Sequence, residues 1–183
     1  IGMGHVFRSL MLAHEIANHK VFFVCTKESE LAASNIAARD YKTVIQQGEL
    51  WEDVLALDPD LVINDMLDTP REYMEHLKAA NIPVVNFEDE GPGSVLADQV
   101  VNALYEEPQN ETSGKQPERF LYGHKYFCLR DEFLQAEQNV FRPAPKCILI
   151  TFGGTDMPDY TRQTLDTVEP LCRERGIAIR VVT

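Results

Sequence analysis

The feature that most constrains this chain is the alternation of short β-rich runs with helical runs through its first hundred or so residues. Val21 to Cys25, Thr43 to Ile45, Leu61 to Asp65 and Pro83 to Phe87 are apolar runs of strand length, the third ending in polar residues and the fourth running into Glu88-Asp89-Glu90. Between them, apolar residues recur at helical spacing. Val6, Leu10, Met11, Ala13 and Ala17 mark a helix over Val6 to Asn18, and Leu31, Ala32, Ile36 and Ala37 mark one over Glu28 to Arg39. A third helix covers Glu49 to Leu57 and stops at Asp58-Pro59, because proline restricts the residue before it. A fourth runs to Ala80, with Asp68 or Thr69 as cap and Pro70 in its first position. Strands joined through helices pair in parallel, so the pattern predicts a Rossmann-like α/β fold, a parallel sheet with helices on both faces. Ligands bind such sheets at the carboxyl ends of the strands, which makes the polar strand ends the places to search.

The rest of the chain continues the plan with an interruption. Asp98 to Tyr105 reads as a further strand or half-buried segment, Glu106 to Pro117 as a polar loop, and Phe120 to Phe133 as apolar and aromatic. Asp131 to Asn139 has a helical pattern, and Arg142-Pro143-Ala144-Pro145-Lys146 is a linker signal. A strand at Cys147 to Phe152, the turn Gly153-Gly154-Thr155-Asp156, a helix over Tyr160 to Glu174 and a strand at Ala178 to Val182 then open a second α/β unit. The expected organisation is a domain over residues 1–142 and a partial second domain over residues 147–183.

A net charge of −12 argues against a nucleic-acid or anionic-membrane surface, which needs a clustered basic face. It leaves room for a small anionic ligand, since a few arginines and backbone N–H groups suffice for a phosphate. No apolar run approaches the length of a membrane span, and no signal-like start is present, so no membrane insertion is expected. Cys25, Cys128, Cys147 and Cys172 show no CxxC spacing. Reduced thiols in a cytoplasmic protein are expected, with Cys25 and Cys147 as small core residues.

Four places carry candidate chemistry; in one of them, Tyr122 to Phe133, the aromatics read as core before ligand platform. In Gly2-Met3-Gly4-His5-Val6-Phe7-Arg8, two glycines precede a helix whose first turn sets His5 and Arg8, three apart, on one face. A histidine that exchanges a proton near neutral pH and an arginine that forks an anion suit a polar-ligand site; a helix cap and a solvated arginine are the plain alternative. Gly153, Gly154, Thr155 and Asp156 form a strand-to-helix turn, either an anion cradle or an ordinary cap. Asp65 and Asp89 end neighbouring strands, where close carboxylates act as acid and base or hold hydroxyls. Glu88 and Glu90 read as solvated loop residues. Without HExxH, a Cys/His zinc set, a P-loop or a GxSxG elbow, neither metal nor cofactor is expected.

Together these pieces resemble one family. Gly2, Gly4, His5, Arg8, Leu10, Leu12 and Ala13 match GxGHxxRxLxLA; Asp65 matches a strand-ending Asp; Phe87, Asp89 and Glu90 match FxDE. Tyr126, Leu129, Arg130, Glu132 and Phe133, then Gly153 to Asp156 as GGTD, follow in order. The chain resembles, over nearly its whole length, the PseG/SpsG-like family, UDP-2,4-diacetamido-2,4,6-trideoxy-β-L-altropyranose hydrolases of pseudaminic acid biosynthesis. Relatives occur fused to CMP-sialic-acid-synthetase-like enzymes, and the fold is shared with MurG-type glycosyltransferases.

The resemblance implies a glycosyltransferase-B-like protein that binds sugar in the first domain and UDP in the second, and hydrolyses a UDP-sugar at the anomeric carbon without metal. It places His5 as the catalytic base. It gives Gly4, Arg8, Asp65 and Asp89 to the substrate side and Gly153, Gly154, Thr155 and Asp156 to the nucleotide. Met66 and Leu67 stand where hydrolases of the family carry a Tyr. A UDP-sugar glycosyltransferase and a noncatalytic module of a larger enzyme are the alternatives. The resemblance also leads us to expect one strand before Ile1 and most of a second domain after Thr183, with these residues alone binding UDP poorly and inactive.

Overall fold

The computed structural model describes residues 3–107, 118–138, 140–141, 143–152, 156 and 158–182, in two compact units, Met3–Arg130 and Asp131–Thr183. In the first, α1 (Met3–Glu15), β1 (Phe22–Cys25), α2 (Glu30–Ala37), β2 (Lys42–Ile45), α3 (Leu50–Leu55), β3 (Val62–Asp65), α4 (Arg71–Ala79), β4 (Val84–Phe87), β5 (Gln99–Asn102) and β6 (Phe120–Tyr122) follow in order. The second holds α5 (Asp131–Leu134), β7 (Cys147–Thr151), α6 (Tyr160–Arg175) and β8 (Ala178–Val182). The boundary between units lies upstream of the Pro-rich segment at Arg142 to Lys146.

Among the described residues every strand pairing is parallel, as the alternation requires. β3, β4, β5 and β6 form a four-stranded sheet in chain order, and β1 with β2 and β7 with β8 form two-stranded sheets. The protein is therefore α/β, its four-stranded parallel sheet flanked by helices in the Rossmann-like manner. Three helix-to-strand turns use Asp or Asn in the left-handed region: Asp40 after α2, Asp58 after α3 and Asn81 after α4. Short polar side chains tolerate that conformation best after glycine, which is how these helices stop without one. α6 ends on Gly176 (φ 64°), and Ile177 N–H bonds back to the Cys172 carbonyl at 2.8 Å.

The main core joins Val54, Val62, Tyr73, Met74, Leu77, Ile82, Val84, Ala97 and Val100, with Met74, Leu77, Val84 and Val100 wholly inaccessible. A second cluster joins Val6 and Leu10 of α1 to Cys25, Ala33 and Ile36. It fixes α1 against β1 and α2 and leaves the opposite side of α1 for other work.

Inside the sheet runs a chain of buried polar groups. Asn64 of β3 stands in register with Asn86 of β4. The Tyr73 hydroxyl donates to Asn64 Oδ1 at 2.8 Å, Asn64 Nδ2 donates to Asn86 Oδ1 at 2.9 Å, and Asn86 Nδ2 donates to Asp89 Oδ2 at 2.5 Å. Buried amides persist only when paired in this way. Burial raises the Tyr73 phenol strongly, with the Asn64 hydrogen bond working against it, so the hydroxyl serves as a donor.

Four details differ from the sequence expectation. The helical segment at Asp131 shortens to Asp131–Leu134, a single exposed turn without a buried face to hold a longer helix. β6 forms at Phe120–Tyr122, inside a stretch read only as apolar and aromatic. Pro70 is the cap of α4 and Arg71 its first residue. Cys147 is exposed, because only Ile150 of β7 is buried.

Candidate functional site

Register aligns the carboxyl ends of the strands: Asp65, the last residue of β3, faces Phe87, the last of β4. Helix α1 starts beside this edge. The spacing of His5, Arg8 and Ser9 sets them on one face of its first turns, and all three converge on Asp65.

Asp65 is the hub. Its Oδ1 lies 2.6 Å from His5 Nδ1 and also accepts from Arg8 Nη2, and its Oδ2 accepts from Arg8 Nε at 2.8 Å. Arg8 and Asp65 thus form a fork, with side chains 15% and 9% exposed. Ser9 Oγ adds a long contact to Oδ2 at 3.4 Å. Arg8 Nη1 reaches Glu88 Oε1 at 3.4 Å, and the guanidinium lies 5.9 Å from the centre of the Phe87 ring. Burial works against the charge on Arg8, but the hydrogen bonds and charges of Asp65 and the charge of Glu88 outweigh it and raise its pKa.

This geometry sets the histidine tautomer. A carboxylate only accepts, so Nδ1 carries the proton that points at Asp65. Arg8 Nη2, 3.3 Å from the same nitrogen, is then a neighbour and not a donor to it. Nε2 makes no hydrogen bond among the described residues, and the His5 side chain is 21% exposed. A base oriented through its other nitrogen by a carboxylate is the arrangement general-base catalysis uses.

Glu88 corrects the sequence expectation of a solvated loop residue. It is 1% exposed and sits in the left-handed region (φ 52°). That turn sends its carboxylate inward to accept from Ala103 N–H at 3.1 Å and Leu104 N–H at 3.3 Å, and to meet Arg8. Glu88 therefore ties α1 to the loop after β5.

Asp89, expected on the substrate side, is 2% exposed and bonded to protein on both oxygens. Oδ1 accepts from Thr69 N–H at 3.1 Å and Gly91 N–H at 2.8 Å, and Oδ2 accepts from Asn86. It clamps the loop after β3 to the loop after β4, while Gly91 lies so close to Thr69 that a Cβ there would stand 2.3 Å from the Thr69 nitrogen. The structure thus makes Asp89 a brace of the site. A Cβ on Gly4 would meet nothing within 4 Å, so no protein neighbour requires glycine there.

Asp156, in the second unit, spends its carboxylate on α6. Oδ1 accepts from Tyr160 N–H at 2.8 Å and Oδ2 from Thr161 N–H at 2.7 Å. The Thr161 side chain first, then the backbone N–H groups of Thr161 and Tyr160, lower its pKa. This is the capping alternative, with its carboxylate favourably placed at the positive helix end. Gly153, Gly154 and Thr155, and also Gly2, lie outside the described residues.

One neighbour of the site lies in the stretch whose aromatics read as core. Cys128, half-buried after β6, feels the charges of Arg8, Asp65 and Glu88. Burial pushes its thiol up, Arg8 pulls it down, and the two carboxylates push it up again, so it stands beside the cluster as a neutral thiol. Nothing in the spacing of Tyr126 to Arg130 signals that proximity. Among the described residues, no three His, Cys, Asp or Glu side chains converge as a metal site. No helix there is long and apolar enough to cross a membrane.

No family model matches the chain. It is similar to an uncharacterized protein, MJ1062, of Methanocaldococcus jannaschii, at 30% identity over 202 aligned positions that take in all of this chain and 40% of the archaeal protein. The chain thus spans about two-fifths of the length of the relative it matches.

Proposed function

We propose that the protein, at its natural length, is a cytoplasmic nucleotide-sugar hydrolase of the PseG/SpsG-like kind, on a glycosyltransferase-B-like plan. It cleaves a UDP-sugar at the anomeric carbon in the assembly of a nonulosonic acid or surface polysaccharide. The observation that supports this reading is the His5–Asp65 pair at the carboxyl edge of a parallel sheet, which engages Nδ1 of His5 and leaves Nε2 to act as a base.

A water oxygen bonds to the anomeric carbon while the bond from that carbon to the diphosphate oxygen breaks. The electron pair leaves with UDP, and the water proton passes to His5 Nε2. Asp65 holds the imidazole in the required tautomer and balances the imidazolium that forms. Arg8 is engaged with Asp65 and Glu88, so its part is to position Asp65. UDP is a competent leaving group, and the Gly153-Gly154-Thr155 turn is the sequence candidate to stabilise its charge.

The test is UDP release from UDP-sugars without acceptor, by the protein at its natural length. His5→Ala is expected to lower turnover about 100- to 10,000-fold. Turnover that requires an added acceptor would make the protein a transferase. No turnover with any UDP-sugar, or a His5→Ala variant as fast as the parent, would remove the reading.

A further inference from the structure

A concavity beside β4, β5 and β6, lined by none of His5, Arg8 and Asp65, has a volume of about 270 Å³. Its wall is aromatic. Phe120 and Tyr122, two apart on β6, point to the same face of the sheet, with rings within 12° of parallel and centroids 6.3 Å apart. Tyr105, from the loop after β5, is the third ring. Asp89, Glu90 and Glu106 bring carboxylates to the lining, that of Asp89 already bonded to protein, and among the described residues no lysine, arginine or histidine lines the cleft.

The cleft is electrostatically one-sided. Burial first, then the charges of Glu107 and Glu90, raise the Tyr122 phenol, with Asn102 alone working against them. The aromatic wall already draws a cation: the Arg119 guanidinium lies 5.4 Å from the centre of the Phe120 ring. A ring face carries negative potential and attracts a weakly hydrated organic cation, and adjoining carboxylates add to that attraction. An anion would meet the carboxylates of Asp89, Glu90 and Glu106 in the lining.

We propose that this cleft binds a small organic cation, an alkylammonium or quaternary ammonium group packed on Phe120, Tyr122 and Tyr105 and neutralised by Glu90 and Glu106. The proposal stands on the cleft alone and does not depend on the hydrolase reading.

The probes are choline chloride and its neutral isostere 3,3-dimethyl-1-butanol, titrated at constant ionic strength and followed by chemical-shift changes of the protein. Choline is expected to saturate at millimolar concentration, and the isostere, with the same shape but no charge, to bind at least about tenfold more weakly. Tyr122→Leu should weaken choline binding about tenfold and Glu90→Gln severalfold. Tyr122→Phe, which keeps the ring, should bind choline as the parent does, separating loss of the aromatic face from loss of fold. Equal binding of choline and its isostere would overturn the proposal, as would no saturation below 100 mM choline or unchanged binding by a folded Tyr122→Leu variant.

Discussion

Replacing Asp65 by Asn tests the centre of the candidate site by stability alone. The carboxylate takes two hydrogen bonds from Arg8 and one from His5 while only 9% exposed. Asn keeps the shape but offers one acceptor and one donor group, so it faces at least one of those donors with another and leaves Arg8 without its fork. Hydrogen bonds to charged groups contribute roughly 1.5–3 kcal/mol each. Breaking a buried pair from one side costs about 3–5 kcal/mol. Arg8 retains Glu88 at 3.4 Å, which sets the expectation at the lower end, about 3 kcal/mol. With a urea m-value of about 2 kcal/mol/M, the unfolding midpoint falls by about 1.5 M. Trp51, the only tryptophan, stacks on His76 with ring centroids 3.9 Å apart and reports by fluorescence on the unit that holds the site. Arg8→Met should cost a similar amount, and the double variant less than the sum by about 2 kcal/mol or more. A midpoint shift under about 0.3 M, or additivity within about 0.5 kcal/mol, would refute the coupled ion pair.

Two more outcomes follow from the loops and the rim. Gly91→Ala places a Cβ 2.3 Å from the backbone nitrogen of Thr69, a contact no rotamer relieves, and should cost about 3 kcal/mol in the same urea assay; a loss under about 1 kcal/mol would contradict the close approach. Lys78 first, then the Val84 N–H, lower the Asp98 pKa, so Asp98 adds stability above its unfolded pKa of about 3.9 and loses it as pH falls through the lower folded value. The pair is half-exposed and contributes less than about 1 kcal/mol. Asp98→Asn should therefore be less stable than the parent at pH 7 and equal to it near pH 2; the same deficit at both would be the wrong result.

Hydrophobic period carried most of the fold into view. The strands at Phe22, Val62, Val84 and Cys147 and the helices between them arise where local pattern and tertiary packing agree. β6 was not legible as a strand: at three residues it is too short to show an alternating pattern. Spacing placed His5 and Arg8 on one face, and position placed Asp65 at a strand end. Their meeting, across sixty residues, depends on how Val6 and Leu10 seat α1. Glu88 was misread because composition cannot show the left-handed turn that sends one glutamate of an acidic run inward.

The Asn64–Asn86 pair bears on fidelity of assembly more than on strength. β3 and β4 are short, apolar and, at their first two positions, nearly interchangeable: Val-Ile against Val-Val. Oil-like contacts alone would accept several alignments of such strands. A slip of one position sets Asn64 against Val85 or Phe87 and strands two amides in a dry interior, at about 1–3 kcal/mol each. It would also pull Asp89 off Thr69, so the mis-threaded sheet would lose the clamp between the loop after β3 and the loop that carries Glu88. The amide pair works as an alignment key, rejecting nearby wrong solutions at the step where the edge that holds Asp65 is built.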